Sequence, residues 1–396
     1  MHPHIKKLYQ SAGKAERLII GLMSGTSLDG LDVALCRISG HGRHTHVTVE
    51  AFTTCDYPQS VKDKITRVFA KQTVSLEYLT LLNPWLGQYH GQLINQCLAN
   101  WQVNPQDIDV IASHGQTIFH CPKHQHGYHE FGNATLQIAD ADHIAVTTGI
   151  TTVSDFRQKH IAAGGEGAPL AQYGDYYYFA SDDENRILLN MGGIANLTYL
   201  PKAAQINDVV CSDLGPGNTL MDAYMRMHFA KPFDDKATVA LQGKVNKPLL
   251  NELLSEAFFK LDLPKTTGPE VFNLDLLTQA QAQSQTQNLS HQDVMATLSA
   301  LSAHIIAQHI NELASTETTV YCSGGGVHNP WLMTQIQQQL GAHISFKGSD
   351  VLGIHPDAKE AVLFAMLANE CLAGEQTKRP LTSTPSVTMG KVSFAD

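Results

Sequence analysis

The chain has 396 residues, 43% hydrophobic and 16% charged, the balance of a folded protein rather than a disordered or fibrous one. That length exceeds one ordinary core and predicts two to three domains of roughly 100–200 residues each. A formal charge of -10 with no run of Lys or Arg excludes a nucleic-acid partner, and no stretch reaches the ~18 consecutive apolar residues of a membrane span or supplies a signal-peptide core, so a cytoplasmic chain is expected.

Strand-like runs open the chain: "RLIIGLM", "DVALCRI" and "HVTVEAF", followed by amphipathic stretches over 60–101 and then "IDVIASHG". A second cycle begins at "RILLNMGG", continues through "NLTYL" and "DVVCSDLGPGN", and turns helical over 218–310. Within it Ser290, with Asp293 three residues on, signals a helix start, and Val294, Leu298, Leu301 and Ile305 recur at helical spacing as a core face. The polar "AQAQSQTQNLSHQ" reads as a solvated connection between helices. Next come the β-branched strand "TTVYC", the glycine loop "SGGGVHNP" and the helical "WLMTQIQQQL". Two α/β units result, with a boundary near 155, where "TTVSDF" gives way to Gly164, Gly165 and Gly167. Seven cysteines, an odd number without a C-x-x-C pair, predict reduced thiols rather than disulfides or a zinc ribbon.

Three glycine-rich turns each follow a strand, at 24–30, 190–196 and 323–329. Glycine lets the backbone approach a phosphate, Thr26 and Ser27 add hydroxyl donors, and Asp29 or Asp32 is suited to a hydrated magnesium ion. Any one of them reads equally well as a β-turn, whereas three at strand ends predict a nucleotide held between two domains. Neither G-x-x-x-x-G-K-[ST] nor a strand-linked G-x-G-x-x-G is present, which disfavours a P-loop NTPase and a Rossmann dehydrogenase.

The phosphate turn with its hairpin, the second glycine turn and the late glycine loop resemble the sugar kinase, Hsp70 and actin superfamily. More narrowly, "GLMSGTSLDGLDVAL", "SHGQTIFH", "LQIAD", "SDFR", "AAGGEGAPL", "LNMGGIANL", "DLGPGNTLMDA", "GGGVHNPWLM" and "EAVLFAMLA" resemble the anhydro-N-acetylmuramic acid kinase family over about 21–370. The resemblance implies a two-lobed, RNase H-like α/β fold with the nucleotide in the interdomain cleft. Its lobes would be 1–155 plus 371–396, and 156–370. It implies ATP and magnesium as cofactors, a homodimer, and an activity in cell-wall recycling. That activity opens the 1,6-anhydro ring of N-acetylmuramic acid with water and phosphorylates O6. By the same resemblance Asp155 is the catalytic base. Gly25, Thr26, Ser27, Leu28, Asp29, Gly30, Leu31, Asp32, Gly192, Gly193, Gly324, Gly325, Gly326 and Asn329 would serve the nucleotide, and His114, Arg157, Asp213 and Glu360 the substrate.

Each of these residues has a structural alternative. Asp155 would be a helix N-cap, Arg157 part of a surface salt bridge, His114 and Asp213 partners of local backbone groups, and Glu360 a first-turn acid favoured by the helix dipole. The chain also departs from the family where His160 replaces an acid, Glu166 a Gln and Asp175 a His, which bears on substrate selectivity. The superfamily's leading aspartate is missing from "GLMS", leaving Asp29, Asp32 and Asp213 as candidates to hold magnesium through water. The loop bearing His120, Cys121, His124, His126 and His129 has spacings that fit no common metal site. The rival functions are a kinase of the same fold acting on an ordinary hydroxyl, a nucleotide switch of the actin or Hsp70 kind, and a metal-binding protein using that loop.

Overall fold

The apolar run at 17–23 lies in strand β1 (Glu16–Ser24), buried from Ile19 onward as a strand covered on both faces must be. In this computed structural model, which describes every residue except 26–27, 124, 168–169, 269–270, 354–357, 375–387 and 396, β1 follows helix α1 (Pro3–Ala12). It opens an antiparallel meander with β2 (Gly30–Ser39) and β3 (His46–Asp56). Helices α2 (Gln59–Thr66) and α3 (Leu76–Trp101) lead to β4 (Val110–Cys121), which returns parallel to β1. After β5 (Ala134–Ile138) and α4 (Ala141–Thr148), β6 (Thr152–Ser154) adds parallel to β4, followed by α5 (Phe156–Ala162) and α6 (Ala171–Phe179).

The second cycle repeats the plan. Strands β7 (Asn185–Met191), β8 (Ile194–Leu200) and β9 (Val210–Pro216) form an antiparallel meander. Helices α7 (Thr219–Phe229), α8 (Lys247–Leu253), α9 (Leu274–Gln283) and α10 (His291–Leu313) intervene before β10 (Thr318–Ser323). Helix α11 (Pro330–Gln338) and strand β11 (Ile344–Gly348) complete this sheet, and α12 (Lys359–Ala373) and β12 (Lys391–Ser393) end the chain. The strand orders are β12-β6-β4-β1-β2-β3, with β5 paired to β4, and β11-β10-β7-β8-β9. In each, three antiparallel strands are extended on the side of the first by two parallel ones, β4 and β6 in the first sheet, where antiparallel β12 follows, and β10 and β11 in the second. Such parallel additions require helical crossovers, which is why helices separate the meander from the later strands.

The chain divides into two units, Met1–Tyr178 with Asp357–Asp396, and Phe179–Pro356. The expected boundaries at 155 and 370 therefore shift, placing α5, α12 and the first eight residues of α6 with the first unit. The cause for α12 is local. A Cβ on Gly21 would stand 1.9 Å from the Ala361 carbonyl oxygen, so α12 lies directly on β1, and every residue from Ala361 to Asn369 is buried. Each unit has its own apolar core, around β1, β2 and α3 in the first and around β7, β9 and α10 in the second. Helix α10 starts as expected, with Ser290 Oγ accepting the Asp293 N–H at 3.1 Å, and Val294, Leu298, Leu301 and Ile305 are buried. Among the described residues no helix is long and apolar enough to cross a membrane.

Candidate active site

In the first unit the expected residues gather at the C-terminal ends of the parallel strands β1, β4 and β6, the edge at which α/β sheets bind ligands. The loop from β1 to β2 holds Gly25, Leu28 and Asp29, while Thr26 and Ser27 lie outside the described residues. Leu28 takes a left-handed backbone (φ 59°) that turns the chain, and its side chain is buried with Leu31 in the core. These two leucines therefore anchor the loop from beneath. At Gly30 a Cβ would lie 2.4 Å from the Cys55 carbonyl oxygen, so strand β3 itself demands this glycine. The Tyr57 N–H donates to the Asp29 carbonyl at 2.9 Å and fixes the end of the loop. Asp29 is exposed, and Asp32 accepts from Thr54 Oγ1 at 2.6 Å.

Asp155 stands where β6 meets α5 with φ 56° and ψ 46°, a left-handed conformation uncommon outside glycine. It occupies the N-cap position, yet its side chain makes no cap hydrogen bond. Instead its carboxylate is ion-paired with Lys391, which antiparallel pairing of β12 with β6 sets opposite Ser154. His114 sits at a bulge: β4 spends three residue steps from Ser113 to Gln116 while β1 spends two from Leu22 to Ser24, and Gly115 absorbs the turn at φ 77°. The buried imidazole meets the Gly115 carbonyl through Nδ1 at 2.8 Å and accepts from Arg157 Nε at Nε2, at 2.9 Å. It is thus the neutral Nδ1–H tautomer. Burial, and then the neighbouring guanidinium, push its pKa down to about 3.

Arg157 also donates to the Gly167 carbonyl at 2.7 Å. Burial pulls its pKa down to about 10 against the opposing Glu360, so it stays charged at neutral pH. The Gly167 N–H in turn donates to His160 Nδ1 at 2.9 Å, and the His160 ring lies where a Cβ on Gly165 would be. His160 thus holds the glycine loop against α5. Asp175 of α6 forms an ion pair of 2.8 Å with Lys359 at the start of α12. Next to it, Glu360 keeps solvent contact, yet its pKa is raised, first by the protein packed around the carboxyl and then, against Arg157, by Asp32. Asp155, His114, Arg157, Glu360 and Asp32 therefore share one edge of the first unit.

In the second unit Gly192 and Gly193 form the two-residue turn between β7 and β8. Their carbonyls receive the N–H groups of Gly217, Asn218 and Thr219 at 2.8–3.0 Å, so this turn satisfies the start of α7. Gly324 (φ 83°) and Gly326 close against Met191 at the end of β7, where Cβ atoms would come within 2.8 and 2.6 Å of it. Gly325 is exposed, and Asn329 caps α11 by accepting the Leu332 N–H at 2.9 Å. Asp213, on β9, accepts the Thr267 N–H at 3.0 Å, and burial raises its pKa. Both expected glycine loops thus meet at one end of this sheet. Among the described residues no group of three or more His, Cys, Asp or Glu is placed to hold a metal, and His124 of the histidine loop lies outside them.

A sheet order repeated in two units, with glycine turns at the C-terminal ends of its parallel strands, defines the acetate and sugar kinase, Hsp70 and actin class of fold. The chain belongs to the anhydro-N-acetylmuramic acid kinase family, whose model matches residues 17–391. It is 61% identical over 401 residues to the anhydro-N-acetylmuramic acid kinase of Pseudoalteromonas translucida, covering 100% of both chains. With the enzyme of that name from Caldanaerobacter subterraneus it shares 37% identity, over 98% of this chain and 100% of the other. A ROK family glucokinase from Streptomyces griseus, solved with glucose and AMPPNP, aligns with 88% of this chain and 98% of its own at 12% identity and TM-score 0.34.

Lys391 and Gly167 join the site only in the structure, and His160 gains its partner there. Lys391 carries no signal in a terminal segment without strand periodicity. The other two lie inside the motif "AAGGEGAPL" and its approach, where only the fold reveals which partner each atom takes.

Proposed function

We propose that this protein is a cytoplasmic kinase that uses ATP and water to open 1,6-anhydro-N-acetylmuramic acid and phosphorylate its O6, yielding N-acetylmuramic acid 6-phosphate for cell-wall recycling. The observation that carries the reading is the cluster on the first unit's strand ends. There a charged Arg157, held by His114 and Gly167, stands near Glu360, with Asp155 two residues before Arg157 at the end of β6. A guanidinium fork suits the lactyl carboxylate of muramic acid. The hairpin loop at Gly25 and the glycine loops of the second unit serve the nucleotide, as the family resemblance implies. Asp29, Asp32 or Asp213 would hold a magnesium ion through water, because such an ion needs only one or two carboxylates. When bound, it would neutralise charge on the transferring group.

The substrate has no free 6-hydroxyl, and this fixes the chemistry. A carboxylate takes one proton from a water molecule as its oxygen bonds to C1. The C1–O6 bond breaks, its electron pair goes to O6, and O6 takes the γ-phosphoryl group as ADP leaves. Asp155 is the base that the resemblance implies. Asp213 is a second reading, favoured by one observation: its carboxyl is raised by burial, which makes it a stronger proton acceptor, whereas the Asp155 carboxylate is engaged by Lys391. The reading is tested by an ADP-coupled assay offering the anhydrosugar, glucose and N-acetylglucosamine in turn. Turnover with the anhydrosugar alone is expected. Equal turnover with glucose, or ATP hydrolysis indifferent to any acceptor, contradicts it. The family resemblance also supports a homodimer, for which light scattering should give twice the chain mass.

A further inference from the structure

Behind the β1–β2 loop, four side chains that no catalytic step uses form a continuous polar chain inside the apolar core. His90 of α3 is 0% exposed, Gln116 of β4 0%, Ser24 of β1 1% and Tyr57 3%. His90 Nε2 lies 2.6 Å from Tyr57 Oη, Tyr57 Oη 2.9 Å from Ser24 Oγ, and Ser24 Oγ donates to Gln116 Oε1 at 2.6 Å. Gln116 Nε2 then donates to the Gly25 carbonyl and the Thr117 carbonyl, each at 3.2 Å.

Counting protons gives this chain one direction. Two carbonyl oxygens face the far end of the Gln116 side chain, so its NH2 must be there and its Oε1 must face Ser24. Ser24 has one hydroxyl proton, which goes to that Oε1, so Ser24 accepts from Tyr57. The Tyr57 proton is then spent, and its oxygen accepts from His90 Nε2–H. His90 is left neutral with Nδ1 bare, and Nδ1 has no partner among the described residues. Every donor points toward Gly25, and each bond fixes the rotamer of the next group in a space too dry for water to substitute.

We propose that His90, Tyr57, Ser24 and Gln116 act as positioning residues that hold the Gly25 carbonyl, and with it the hairpin loop, in the conformation that receives the nucleotide's phosphates. This rests on the reading that the loop serves ATP. It also gives Ser24 and Gln116 a physical reason for standing in "GLMSGTS" and "SHGQT". The geometry assigns each member a distinct sensitivity. Removing the Gln116 amide releases Gly25 directly, removing the Tyr57 hydroxyl unpins Ser24, and at position 90 any neutral donor of similar reach should serve.

The test is calorimetric titration of the full chain with a non-hydrolysable ATP analogue and magnesium, beside KM for each substrate and the thermal midpoint. Gln116→Met should weaken nucleotide binding by about tenfold or more, and Tyr57→Phe by about three- to tenfold, as loss of buried hydrogen bonds implies. His90→Gln should stay within about twofold of the parent while His90→Leu falls with Tyr57→Phe, and KM for the sugar should stay within about twofold throughout. Unchanged nucleotide affinity in folded Gln116→Met or Tyr57→Phe overturns the proposal, as does His90→Gln as impaired as His90→Leu. So does a loss that tracks the thermal midpoint and strikes both substrates alike. The titration needs no turnover: if the anhydrosugar is not phosphorylated but the affinities change as stated, the functional reading fails and this inference stands.

Discussion

Asp155 combines three features that a structural aspartate does not need: a left-handed backbone, a helix N-cap position without a cap bond, and a lysine brought to it by the last strand. Strain of this kind persists where surrounding structure over-determines it, and functional sites are where it collects. If Asp155 is the base, Asp155→Asn should keep nucleotide affinity and lower kcat by about 10²–10⁴. Should Asp213 hold that role, the same loss belongs to Asp213→Asn, and a further sign distinguishes the two. A base works unprotonated, so the raised pKa of Asp213 moves the acidic limb of kcat/KM to higher pH, and that limb should vanish in Asp213→Asn. The sequence offers His114, Arg157 and Glu360 as site residues through the motifs that carry the family resemblance, and the structure sets these three near one another. The sequence does not show that His114 spends both nitrogens on Gly115 and Arg157, since bond partners depend on a bulge in β4. Nor does it separate glycines that free a backbone for ligand from Gly30, which gives way to Cys55.

Elements with strong periodicity or continuous apolar runs, β1, β2, β4, β7 and α10, are legible from the sequence. The short strand β12 is not, because three residues carry no pattern, and β5 and β11 owe their pairing to strands already in place. The unit that α12 joins is not legible for a similar reason: it reads as an ordinary apolar helix, and only its seat on β1 assigns it to the first unit. That seat has a measurable consequence. Gly21→Ala would drive a methyl group into the Ala361 carbonyl, displacing α12 and Glu360 with it. Denaturant unfolding should show a loss of about 1–3 kcal/mol, with kcat/KM reduced beyond what stability explains. In the second unit, Ser290→Ala removes the α10 cap and should cost about 1 kcal/mol while leaving kcat unchanged.

His90 and His114 are buried and neutral, both pushed by burial to about 3 from an ordinary value of 6.5. Between those values the unfolded chain binds the protons and the folded chain does not, so stability rises with pH across the window. The contribution is complete above 6.5 and lost as pH falls toward 3, at no more than about 1.4 kcal/mol per pH unit for each histidine. The thermal midpoint should therefore drop between pH 7 and 5, and His90→Gln should flatten part of that slope.

The proposed reaction joins water attack at C1 to phosphorylation of O6. Turnover of 1,6-anhydro-N-acetylmuramic acid in ¹⁸O-labelled water, quenched early and compared with finished product held in the same water, tests it most directly. The expected product carries one label at C1, none in the phosphate and an opened ring. An unlabelled product that keeps its 1,6-anhydro bridge, with phosphate on another hydroxyl, contradicts it.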